Sequence, residues 1–129
     1  MTEPPYATIL YIDDSATHAE VRLLRAVLEK AGYRLLTARS ANEALAVLRT
    51  SAIDLVLTEY IMPAGGGPSI ADRLKNLNSQ IPVAIYSVEW KMPAASATAL
   101  FFISKLVPVE ELLGSIQELL KAAHTRVAA

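Results

Sequence analysis

Cysteine is absent from the 129 residues, and that omission removes disulfide frameworks, thiol nucleophiles and Cys-ligated zinc from consideration. It also fits a reducing compartment, so a cytoplasmic location is expected. No apolar run approaches the ~18 residues of a membrane span, and the opening MTEPPYA has neither the basic flank nor the apolar stretch of a signal peptide. Membrane association is therefore not expected, and residues 1–6 read as a disordered lead-in. Positive charge is not in surplus either: Lys and Arg total 12 against 13 Asp and Glu, for a formal net charge of −1. Without a basic block the chain lacks the electrostatic footprint of direct nucleic-acid binding. Internal repeats and low-complexity segments are missing as well. What remains is 53% hydrophobic content in a length that suits a single domain. That domain is expected over residues 7–122, with 123–129 as a C-terminal tail and no output domain.

Short apolar runs alternate with helical periodicity along this stretch. Ala7 to Ile12 (ATILYI) is almost unbroken in apolar character and stops at Asp13-Asp14, as a strand buried on both faces would. A helix follows from Ser15 to Ala31, with Ser15 as its cap, Val21, Leu24, Leu28 and Ala31 on one stripe, and Gly32 at its end. Tyr33 to Ala38 reads as the second strand. Ser40 and Glu43 have capping-box spacing ahead of a second helix that buries Ala41, Ala44, Leu45 and Leu48. Ile53 to Thr58 is the third strand. Gly67-Pro68 opens a helix with Ile70, Leu74 and Leu77 on one face, ending at Asn78. Pro82 to Ser87 and Phe101 to Ser104 are strands four and five. Pro108 then opens a last helix with Val109, Leu112, Leu113, Ile116, Leu119 and Leu120 on its stripe. Five βα units of this kind predict an α/β fold, a flavodoxin-like doubly wound five-stranded parallel sheet with helices on both faces.

In open α/β sheets the functional crevice lies beyond the carboxyl ends of the strands. Strand one delivers Asp13 and Asp14 there, strand three Glu59, strand four Ser87, and Lys105 follows strand five. Three carboxylates against one lysine leave about two uncompensated negative charges, which costs several kcal/mol in a partly dry crevice unless a cation or protons intervene. Asp13, Asp14 and Glu59 are thus candidate metal ligands. With oxygen donors only, the set favours magnesium, manganese or calcium over zinc or copper. The bland alternative is that these acids simply sit at helix N-termini.

With Asp13-Asp14, the run DLVLTEYIMP followed by Gly67, Ser87 after PVAIY, and Lys105 in FFISK, the chain resembles the receiver domains of two-component response regulators from about Ala7 to Leu120. The resemblance implies a (βα)5 fold, a histidine kinase as phosphodonor, bound Mg2+, and transfer of a phosphoryl group to an aspartate at the end of strand three. Glu59 occupies that position here. Its carboxylate lies further out by one C–C bond, about 1.5 Å, and misplacement by ~1 Å can cost a hundredfold in rate. Efficient phosphorylation is not expected, and Mg2+ binding is expected to be weakened. The displaced carboxylate can reach Ser87 and Lys105, the implied phosphate pocket, and so partly imitate an activated state, with one charge and two oxygens against nearly two charges and three oxygens.

The expectation is a stand-alone, atypical receiver that is not an enzyme and signals by contact with a histidine kinase or a downstream protein, with homodimerisation left open. Two alternatives stay in view: a normally switching receiver that is phosphorylated slowly, and a small metal-dependent hydrolase or ligand-binding flavodoxin-like protein. Rival motifs are weak. Asp13 to Thr17 is similar to the DxDxT of haloacid-dehalogenase-type phosphatases, but Ser15 stands where the general acid belongs. Gly65-Gly66-Gly67 lacks the Lys-Ser/Thr of a phosphate loop. Leu106 follows Lys105 where the family usually has proline. Only 18 positions separate Ser87 from Lys105, and Pro93 lies among them, so a shortened or irregular fourth helix is expected over Val88 to Leu100. Phe102 matches the aromatic that reorients in the family. Trp90 and Met92, with Phe102, are the candidate switch and partner face.

Overall fold

The computed structural model describes residues 6–60, 62, 67–77, 80–88 and 101–128. Its elements run β1 (Ala7–Ile12), α1 (His18–Lys30), β2 (Tyr33–Ala38), α2 (Ala41–Thr50), β3 (Leu55–Thr58), α3 (Gly67–Asn76), β4 (Val83–Ser87), β5 (Phe101–Ser104) and α4 (Val109–Ala128). The expected helix between β4 and β5 falls mainly on residues 89–100, outside the described residues. All strand pairs are parallel, in the order β2-β1-β3-β4-β5. No helix among the described residues is long and apolar enough to cross a membrane.

Period-two alternation assigns each strand residue to one of two cores. Ile9, Tyr11, Leu35, Leu55, Leu57, Ala84 and Ile103 pack with Leu24 and Leu28 of α1 and Leu112, Ile116 and Leu119 of α4. Leu10, Ile12, Val56 and Val83 face the other way, against Ala41 and Ala44 of α2 and Ile70, Ala71 and Leu74 of α3. Residues of β1 and β3 such as Leu10, Ile12, Leu55, Val56 and Leu57 have no exposed surface, because helices cover both faces and strands flank both edges. Burying each such side chain contributes ~1.5–3 kcal/mol. Phe101, on edge strand β5, stays 43% exposed.

Several local readings need correction. Thr17, rather than Ser15, caps α1: its hydroxyl accepts the Glu20 N–H while the Glu20 carboxylate accepts the Thr17 N–H, a complete capping box. Ser15 is drawn away by Asp13. Ser40 caps α2 as expected, but the Glu43 carboxylate takes the N–H of Arg39, one residue before the cap. Leu77 lies in the turn beyond α3 and is exposed, so the buried stripe of that helix ends at Leu74. Val109, in the first turn of α4, is also exposed, so the buried stripe begins at Leu112. That helix continues to Ala128, through most of the segment expected as tail.

Gly32 ends α1 with φ +97, a conformation that favours glycine. A Cβ there would lie 2.5 Å from the Tyr6 ring. Tyr6 itself is tied down, contrary to its assignment to the lead-in. Its N–H donates to Gly32 O at 2.9 Å, and its ring meets Tyr33 edge-on.

Candidate functional site

Asp13, Glu59 and Lys105 each stand one position past a strand, where a last backbone bond extends the ladder, while Ser87 is the last residue of β4. The Asp13 N–H donates to Ala38 O, Glu59 to Ile12 O and Lys105 to Ser87 O, at 2.9 to 3.0 Å. Asp13 and Glu59 thereby flank the boundary between β1 and β3, where the strand order of this sheet reverses direction. Asp13 has the parity of Ile9 and Tyr11, Glu59 that of Leu55 and Leu57, and Lys105 that of Ile103, so the three rise from the same face.

Asp13 is 4% exposed and heavily used. Its Oδ2 accepts the Tyr11 hydroxyl at 2.6 Å and the Lys105 ammonium at 2.9 Å; its Oδ1 accepts the Ser15 N–H at 2.9 Å and the Ser15 hydroxyl at 3.1 Å. Burial alone would raise the Asp13 pKa, yet the bonds from Tyr11, Lys105 and Ser15 outweigh it and hold the carboxyl below its ordinary value. Lys105 also pairs with Glu59 Oε2 at 3.2 Å. Its ammonium lies 5.5 Å from the Tyr11 ring centre and 5.6 Å from that of Tyr86, and the two rings meet edge-on at 5.9 Å. On Glu59 the other oxygen, Oε1, accepts the Ser87 hydroxyl at 2.7 Å. Oε2 is buried without an aligned hydrogen bond and has the Lys105 charge for company.

Residues 9–117 match the family model described as Response regulator receiver domain. The chain belongs to that family. It is 34% identical over 122 residues to Transcriptional regulatory protein ZraR of Salmonella typhimurium, covering 92% of this chain and 27% of that protein. It is 30% identical over 120 residues to Phosphate regulon transcriptional regulatory protein PhoB of Pseudomonas aeruginosa, covering 88% and 52%. The receiver thus spans about a quarter to a half of the length of these relatives. In fold it is similar to the signal receiver domain of an HD domain-containing protein from Pseudomonas fluorescens Pf-5, with a TM-score of 0.80 at 22% identity over 99% of this chain and 95% of that one. It is similar too to a CheY-like receiver domain protein from Methanospirillum hungatei JF-1, with a TM-score of 0.78 at 22% identity over 93% and 98%. Receiver domains are signalling domains of two-component systems, and the five-stranded parallel sheet found here is their flavodoxin-like fold.

The expected metal set of Asp13, Asp14 and Glu59 does not come together. Among the described residues, no three His, Asp or Glu side chains are grouped so as to hold an ion. A carboxylate offers about four lone-pair sites, and protein donors meet Asp13 four times. Asp14 lies in the bend after β1 and is half-buried, its carbonyl taking Arg39 Nη2 at 2.6 Å. As arranged, the donor set does not fit Mg2+.

Ser87, Glu59 and Lys105 are brought together, while Phe102 lies half-buried on β5, opposite Ile85. Trp90 and Met92 lie outside the described residues. Leu106 is 79% exposed, and no described peptide bond is cis. Two residues of the site escaped sequence reading, Tyr11 and Tyr86. Both look like ordinary strand aromatics, although Tyr11 lies two positions before Asp13 and therefore on its face.

Proposed function

We propose that this receiver works in two-component signalling as a cytoplasmic element that acts by protein contact, with Glu59 standing where the family's phosphoacceptor aspartate stands. In this reading the Glu59 carboxylate takes the part of a phosphoryl group without being phosphorylated. The observation that supports it is the 2.7 Å hydrogen bond from the Ser87 hydroxyl to Glu59. The Lys105 ion pair on the other oxygen accompanies it. The pocket hydroxyl and lysine are thus engaged by a side chain of the chain itself, at a constant single negative charge. A phosphoryl group would bring nearly twice that charge and a third oxygen, so the substitution is a partial one.

The proposed partner is a protein, either a histidine kinase or a downstream component. With a formal net charge of −1, the receiver has no basic surplus with which to neutralise nucleic-acid phosphates. The partner face is proposed to include Phe102, with Trp90 and Met92 of the preceding segment. Treatment with acetyl phosphate and magnesium, followed by intact mass, tests the central claim. The native chain is expected to remain unlabelled, and Glu59→Asp to gain one phosphoryl group by returning the acceptor to shorter reach. Stoichiometric labelling of native Glu59 overturns the reading.

A further inference from the structure

The pocket already contains a cation. Lys105 has Asp13 at 2.9 Å, Glu59 at 3.2 Å and the rings of Tyr11 and Tyr86 at 5.5 and 5.6 Å, so acids and aromatic π-systems enclose it together. Its surroundings match an ammonium in both charge and shape. Burial disfavours the Lys105 charge, but the Tyr11 hydroxyl and the Asp13 carboxylate more than offset this, and the lysine is held above its ordinary range. Tyr11 makes two contacts at once. Its hydroxyl bonds Asp13 at 2.6 Å while its ring lies beside the ammonium. Burial, followed by the bond to Asp13, pushes the Tyr11 phenol well above its ordinary value, so it stays a proton donor to that carboxylate.

A magnesium ion needs near-octahedral oxygen ligands at 2.0–2.1 Å. To use Asp13 it would have to strip away the Tyr11 or Lys105 bond, or both Ser15 bonds, and then sit within a few ångströms of an ammonium. We propose that Lys105 is the resident cation of this receiver's pocket, seated by Tyr11 and Tyr86, and that it excludes a divalent ion from the acidic site. Tyr11 and Tyr86 are positioning residues in this scheme: they act through Lys105 and Asp13. The inference concerns metal affinity alone and draws on the proposed role of Glu59 only in naming the pocket. Its test therefore contains no phosphodonor, and either idea can fail without the other.

The experiment is a magnesium titration of the full chain at neutral pH, read by calorimetry and thermal unfolding. Manganese broadening of the Asp13, Asp14 and Glu59 amide signals provides a site-specific readout. A site half-filled at ~1 mM would shift the folding equilibrium about tenfold at ~10 mM magnesium. The native chain is expected to show no such shift and no localised broadening, whereas Lys105→Met, which keeps the apolar stem and removes the charge, is expected to gain both. Tyr11→Phe keeps the ring and loses the anchor, so it is expected to raise the carboxylate titration midpoint of Asp13 and admit manganese weakly. Sub-millimolar magnesium binding by the native chain overturns the proposal. So does a Lys105→Met variant that is folded and as silent as the native chain, and an Asp13 midpoint unmoved by Tyr11→Phe refutes the seat assigned to that tyrosine.

Discussion

Asp13 and Glu59 end neighbouring strands, face the same way and share Lys105, yet the fold treats them differently. Asp13 is met by four donor contacts, from Tyr11, Lys105 and Ser15, and is almost wholly buried. Glu59, with a side chain 15% exposed, takes the Ser87 hydroxyl on one oxygen and the Lys105 charge on the other. A carboxylate with its lone pairs filled belongs to the framework, because exchanging any partner leaves a buried polar group unpaired. A carboxylate with one oxygen left without a hydrogen bond can change partners at lower cost. The difference separates a pocket wall from a pocket occupant, although both residues are acids at strand ends.

Replacing each acid in turn is the strongest way to break that comparison. Asp13→Ala strands the Tyr11 hydroxyl and the Ser15 N–H and removes one of the two anions holding Lys105. A loss of ~2–4 kcal/mol in unfolding free energy is expected, at the lower end to the extent that the partly exposed lysine finds water or Glu59. Urea unfolding measures it. Glu59→Gln retains an amide oxygen for Ser87 but turns its NH2 toward Lys105 in place of the ion pair, so a smaller loss of about 1–2 kcal/mol is expected in the same assay. Equal costs for the two variants would erase the distinction between wall and occupant.

The smallest effect, in pH, sharpens the same contrast. Asp13 is held below its ordinary carboxylate value, so its contribution to stability is complete above that value and is lost as pH falls through the folded one. Tyr11 and Lys105 are held above their ordinary values of 10.0 and 10.5. Their contributions are complete below those values and decline as pH rises past them. Thermal unfolding across pH should therefore show a plateau through the neutral range with an acid and an alkaline limb. Asp13→Asn is expected to flatten the acid limb, and Tyr11→Phe to trim the alkaline one.

Much of the scaffold is legible in the sequence, since it rests on local rules. Ala7–Ile12, Tyr33–Ala38 and Phe101–Ser104 form strands with the expected bounds, because β-rich apolar runs of that length are buried most cheaply as sheet. Helix ends are less legible. Ser15 and Thr17 are both competent caps, and the choice fell to Thr17 once Asp13 had claimed the Ser15 N–H and hydroxyl. Thr17 and Glu20 carried the capping-box spacing from the start.

The acidic residues, the hydroxyl and the lysine at the strand ends followed from the sequence, as did their shared edge of the sheet, because parallel strands present all their carboxyl ends together. Which acids would meet did not follow. The long Lys105 side chain reaches from edge strand β5 to both Asp13 and Glu59, and Asp14, in the bend after β1, does not join them, so a three-carboxylate cluster became a lysine flanked by two. Tyr11 and Tyr86 are distant in sequence and become one seat only because β1, β3 and β4 lie side by side with their register set by the two cores. Residue type and spacing are local properties and determined the elements and the chemical inventory. Distances across the sheet depend on how every strand packs at once, and that was decided only by the tertiary structure.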